Sequence, residues 1–278
     1  MSRQVPEAYN SCETIFNCSS SFQIHGDGER TILLLDIDTE RVGRQFLNLV
    51  RILATPRKVT FELAKNPSPG PAAAAILLIS VFIGWLMVPA VEQPMRRVLE
   101  STYGEGAAES ALLLVSRYFF AIELVIEPLW KVFRWLLTAG ILYFLAGLME
   151  TPGKLSFKSL FALTVYGETA IVVIDTLNVA LIYYRGLGQI ADERDLRLVR
   201  GLDIVLSPDN QNIYLHTIFQ CINPASVWYF ILVGVGFSVM SGLTKSDSAM
   251  AAVTGWSGWV LSETARPWLS KLFSVWFT

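Results

Sequence analysis

The chain has 278 residues, 53% of them hydrophobic and only 17% charged, a formal net charge of −2 and a mean hydropathy of +0.45. Several long apolar runs set it among polytopic membrane proteins rather than soluble ones. The mild acidity, with no basic block interleaved with aromatics, argues against a nucleic-acid binder, and Cys12, Cys18 and Cys221 cannot build a disulfide framework.

In chain order, residues 1–40 are a polar segment, rich in Ser, Asn and Glu up to Gly28 and read as a poorly ordered tail. No charged-then-apolar signal segment opens it, so the first span is expected to direct its own insertion. The run TILLLDID between Arg30 and Glu40 suggests a short strand. Its LLLDIDTE resembles the first motif of haloacid-dehalogenase phosphotransferases, which would make Asp36 a nucleophile and Asp38 an acid/base. A chance acidic turn is the preferred reading, because no soluble α/β domain follows. Cys12, Cys18 and His25 have the wrong spacing for a metal site and lack a fourth ligand.

Residues 41–66 read as amphipathic surface helices. Val42, Phe46, Leu49, Val50 and Leu53 share a face, with Arg41, Arg44 and Arg51 among them, so the segment is expected to lie in the membrane interface. Pro56 should break it, and Pro67, Pro69 and Pro71 should form a stiff entry to the bilayer.

Residues 67–268 are expected to form an all-α bundle of five spans: Ala72–Val91, Val132–Met149, Ser159–Tyr184, Ile222–Leu243 and about Asp247–Arg266. Ala72, Ser80 and Gly84 give the first span a small-residue side. Pro89 and Pro94 should end it, Pro128 should kink the stretch before the second, and the Arg185–Leu215 loop reads as a solvated face. Gly234, Ser238 and Gly242, spaced by four, form a small-residue stripe for close packing on another helix. Leu269, Leu272, Phe273, Trp276 and Phe277 give residues 269–278 an apolar face suited to the interface. The basic flank from Arg41 to Lys65, with Lys154, Lys158 and Lys245, puts the N-terminus in the cytoplasm.

The third span, SLFALTVYGETAIVVIDTLNVALIYY, organises this scheme because it carries Glu168, Asp175 and Asn178 in its middle. A carboxylate facing hydrocarbon is costly, so this face must turn toward protein or water. Glu123, Glu127, Lys131 and Arg134 form a polar stripe on the preceding helix. The short loop between the two helices makes them antiparallel neighbours, and Lys131 and Arg134 are expected to pair with Glu168 and Asp175.

Four stretches carry a family resemblance: LVRILATPRKVTFELAKNP (Leu49–Pro67), LSFKSLFALTVYG (Leu155–Gly167), NPASVWYFILVGVGF (Asn223–Phe237) and SGLTKSDSA (Ser241–Ala249). They are similar to the Yip family of Rab-interacting membrane proteins and their bacterial relatives, over about Leu47 to Ser262. Glu168-Thr169 stands where bacterial relatives often have proline, and the Asp-Leu-Tyr-Gly-Pro motif of eukaryotic members is absent, which favours a bacterial-type member. The resemblance implies a five-helix membrane domain without enzymatic activity, acting as an adaptor or as an accessory partner of a membrane transporter, in a bacterial inner membrane.

Three function classes follow. The leading one is a non-enzymatic scaffold or accessory subunit with membrane lipid, a membrane-protein partner or a second copy of itself as partners, and no cofactor. The alternative is an ion- or proton-coupled transporter using the intramembrane carboxylates. An intramembrane enzyme is the weakest, since there is no His-Glu-x-x-His or Gly-x-Ser-x-Gly, and His216 sits at a span's edge.

Overall fold

The structure, a computed structural model, describes residues 39–149, 151, 155–190, 193–196, 201–206 and 212–276. Asp36, Asp38, Cys12, Cys18 and His25 lie outside the described residues, as do the side chains of the aromatic tail. Every regular element among the described residues is helical. The expected strand TILLLDID lies outside the described residues, and helix α1 (Thr39–Ala54) follows it.

Pro56 separates α1 from α2 (Pro56–Lys65), and it does so as the first residue of α2. Its fixed φ suits that position, where the missing N–H costs nothing. The two helices turn back on each other, with Asn48 donating to Glu62 at 3.3 Å. Leu49 and Ile52 of α1 and Val59 and Leu63 of α2 enter the bundle core, while Phe46 and Val50 stay exposed.

Helix α3 (Gly70–Tyr103) is longer than expected, because it continues through Pro89 and Pro94 rather than ending there. Each proline removes one backbone hydrogen bond, and membrane helices absorb that loss through local adjustment. The chain reverses at Gly104, whose φ of 79° lies in the region that only glycine adopts without strain. Helix α4 (Glu105–Leu148) returns, with Pro128 inside it. After a turn, Ser156 caps α5 (Phe157–Gly167) by accepting from the Ser159 N–H at 3.1 Å. A single residue, Glu168, whose backbone stays in the right-handed helical region, joins α5 to α6 (Thr169–Arg185), and the two form one apolar stretch.

The connection after α6 is partly packed rather than a solvated face. Ile190 and Leu196 bury against Ala90 and Ile182, and Leu202 donates its N–H to the Ile222 carbonyl at 3.0 Å. Helix α7 (Ile213–Gln220) leads to α8 (Pro224–Ser241), which starts at a reciprocal cap between Asn223 and Ser226. Gly242 ends α8 in the left-handed conformation, φ 70°, donating to the Ser238 carbonyl. It is therefore an exposed helix cap, not part of a packing stripe. After that turn, Thr244 caps α9 (Lys245–Trp276) by accepting from the Asp247 N–H at 3.2 Å.

Four helical stretches are long and apolar enough to cross a membrane: Gly70–Tyr103, Val125–Leu148, Phe157–Arg185 and Pro224–Ser241. The chain thus has the helices of a membrane protein. The region expected as a fifth span lies in α9, which is long enough but is not among the four.

Burial sorts these helices. The apolar window of Phe157–Arg185 is 67% buried against 17% for α3, although α3 is the more apolar. Residues 162–170 are buried without exception, so α5 is the axis of the bundle. Leu160, Leu163 and Val165 meet Trp135 and Leu142 of α4 and Val233 and Phe237 of α8 in one core. Leu78, Phe82 and Trp85 of α3 face outward, as a lipid-facing helix requires.

Candidate functional site

The WKVFRW run of α4 sets two cations between two indoles, Trp130-Lys131 and Arg134-Trp135. Residues four apart in a helix share a face, so Lys131, Arg134 and Trp135 turn inward together and all three are buried. Opposite them is Glu168, 0% exposed. One carboxylate oxygen, Oε1, accepts from Lys131 Nζ at 3.2 Å and from Arg134 Nη2; the other, Oε2, accepts from Trp135 Nε1 at 3.0 Å.

The junction between α5 and α6 places that carboxylate. The Glu168 N–H is shared between the Thr164 and Val165 carbonyls, both at 3.2 Å, and its own carbonyl accepts from Ile171 and Val172 at 3.0 Å. Preceding it, Gly167 lets α5 press against α8: a Cβ there would lie 3.1 Å from the Tyr229 ring and 3.2 Å from Val233. Thr164 ties the same turn to α4, donating to the Phe161 carbonyl at 2.9 Å and to the Trp135 carbonyl at 3.4 Å.

Arg134 also reaches a third helix. Its Nη1 donates to Glu263 Oε1 of α9 at 3.3 Å, and Trp130 Nε1 donates to the same oxygen at 3.2 Å. The guanidinium lies 5.1 Å from the Trp259 ring centre, within cation–π range. Glu127 sits 4.0 Å from Lys131, one turn earlier on α4. The centre therefore holds Lys131 and Arg134 among Glu127, Glu168 and Glu263, and it joins α4, the α5–α6 junction and α9.

Glu127, Lys131, Arg134 and Glu168, all singled out from sequence, lie together here. Glu123 lies within α4, with its side chain outside the described residues. Asp175 forms no ion pair with Lys131 or Arg134, contrary to expectation. The cause is the path of the helices: α4 packs on α3, α5 and α9, whereas α6 packs on α3 and α8. Asn178 serves another purpose, donating to the Leu196 carbonyl at 2.9 Å and pinning the connection after α6.

Of the small-residue stripe, Gly234 faces α9, where a Cβ would lie 3.2 Å from the Ala252 Cβ. Ser238 donates to the Leu243 carbonyl at 3.3 Å and so belongs to the turn. Sequence reasoning missed Trp130, Trp135 and Glu263. Glu263, near the end of the expected fifth span, has a side chain only 16% exposed. The signal was available in the WKVFRW spacing, which sets indole N–H donors beside each cation.

Chemically, this arrangement offers a carboxylate engaged on both sides: Oε1 accepts from two cations and Oε2 from one indole N–H. Among the described residues, no group of three or more His, Cys, Asp or Glu is placed to hold a metal ion. No family profile, curated protein or solved structure matches the chain.

Proposed function

We propose that this protein is a non-enzymatic membrane scaffold or accessory subunit, a bacterial-type member of the Yip family. Its buried charges serve the fold rather than transport. The observation carrying this reading is the engagement of Glu168 by Lys131, Arg134 and Trp135. A carboxylate that carries ions or protons must exchange partners, and one held by two cations and an indole N–H inside a packed core is poorly placed to do so. Replacing a buried ion pair by apolar residues is often neutral for stability, and such pairs are best attested as devices of structural specificity. Here the centre would fix the register of α4, the α5–α6 junction and α9.

The proposal includes five spans, with α9 as the fifth, α1 and α2 in the interface, and the N-terminus in the cytoplasm of a bacterial inner membrane. Glu263 supports the fifth span. Its carboxylate points into the bundle, which removes one charge from the lipid-facing side of α9. Single cysteines replacing Ser2 and Ser274 should be labelled from opposite sides of the membrane. Labelling of both from one side would mean an even number of spans.

Mild-detergent affinity purification with identification of bound proteins tests the functional reading. A stoichiometric membrane-protein partner, or a second copy of the chain, is expected, with no ion or proton flux in liposomes. Flux that is lost in Glu168→Gln would replace this reading with a transporter.

A further inference from the structure

An open groove of about 690 Å³ runs along the seam of α8 and α9. Its walls are apolar, with Ile231, Val235 and Val239 on α8 and Ala249, Val253 and Trp256 on α9. From Val227 to Val239 it follows α8 for about 18 Å at ~1.5 Å per residue. That matches one leaflet, half of a hydrocarbon core about 30 Å thick.

One end of this groove is polar. Lys245 opens α9 there, and Arg57 of α2 lines the same cavity. Successive antiparallel helices place the start of α3, and so the neighbouring α2, on the side where α8 ends. Ser248 lines the cavity one turn beyond Lys245; it is 2% exposed and its hydroxyl has no hydrogen-bond partner. The neighbouring acid, Asp247, is held by Thr244 Oγ1 at 2.7 Å.

We propose that this groove is a binding site for one anionic phospholipid. Its phosphate and headgroup charge sit between Arg57 and Lys245, and one acyl chain lies along the seam to Trp256. Two cations at the polar end favour an anionic over a zwitterionic headgroup. This site is independent of the scaffold reading and requires only that the bundle sits in a membrane.

Trp256 is a built-in reporter at the apolar end of the groove. The full chain is reconstituted in phosphatidylcholine vesicles containing a minor fraction of acyl-brominated phosphatidylglycerol or, separately, of acyl-brominated phosphatidylcholine. Quenching of Trp256 is isolated by difference from Trp256→Phe. Brominated phosphatidylglycerol should quench Trp256 at a roughly tenfold lower mole fraction than brominated phosphatidylcholine, as two headgroup-level cations imply. The double variant Arg57→Gln/Lys245→Gln should abolish that preference. Val253→Phe, which fills the groove from an exposed position, should weaken quenching by both lipids. Equal quenching by both lipids in the parent, a preference that survives in the double variant, or unchanged quenching in Val253→Phe would each overturn the site. Failure of the parent chain to enter vesicles would overturn the membrane assignment itself.

Discussion

Glu168→Gln should destabilise the bundle by about 3–5 kcal/mol, the cost of leaving buried charges without their partner. Lys131 and Arg134 would then face a neutral amide, with Glu127 at 4.0 Å from one and Glu263 at 3.3 Å from the other. Such a loss is large beside the total stability of most domains, about 5–15 kcal/mol. Asp175→Asn is the control: it removes the other carboxylate of the same stretch, which forms no ion pair with either cation, and should cost less than about 1 kcal/mol. Unfolding of each variant in mild detergent gives the comparison. Equal losses for the two variants would mean that Glu168 is not the anion on which the bundle depends.

The second large effect is expected at the seam between α5 and α8. A Cβ built on Gly236 would lie 2.3 Å from Leu163 Cδ1 and 3.1 Å from Cδ2. Leu163 is 0% exposed and surrounded by core, so it has nowhere to turn. Gly236→Leu should therefore cost at least the roughly 1–3 kcal/mol typical of overpacking. Gly234→Leu should also force helices apart, since the Ala252 Cβ lies 3.2 Å from the added atom. Gly258→Ala provides the contrast. Its Cβ would meet Ile141 Cδ1 at 2.2 Å, but Ile141 is only half-buried and that atom is the free end of a flexible chain. It should be nearly neutral. Thermal unfolding should rank the three with Gly236→Leu lowest and Gly258→Ala highest, and a reversed order would show that α5 and α8 are not in close contact.

Much of this architecture is written in hydrophobic runs and their punctuation. The apolar stretches gave the helices, Pro56 and Pro71 sit at helix starts, and Gly104 and Gly242 sit at helix ends. Prolines misled where they fall inside a helix: Pro89 and Pro94 read as stops, yet α3 runs on, because in a membrane no alternative backbone partner awaits the chain. The centre was half legible. Glu168 opposite Lys131 and Arg134 followed from an apolar span that could not leave a carboxylate in lipid. Asp175 read as equivalent, seven residues on and on nearly the same face. What separated the two was the divergence of α6 from α4, which is set by packing on α3 and α8 and leaves no local mark in the sequence. Glu263 was illegible for a related reason. Its distance from Arg134 is a property of how α9 docks, and charged residues near the end of an apolar run more often snorkel.

The measurement closest to the central claim is a double-mutant cycle between Arg134 and Glu168. Arg134→Met, Glu168→Gln and the double variant are unfolded under one set of conditions in mild detergent, and the coupling is the departure from additivity. If the buried pair braces α4 against the α5–α6 junction, each single variant is costly, the double variant recovers part of the loss, and the coupling is about 2–3 kcal/mol. Losses that add to within about 0.5 kcal/mol would contradict the account, since independent sites behave that way.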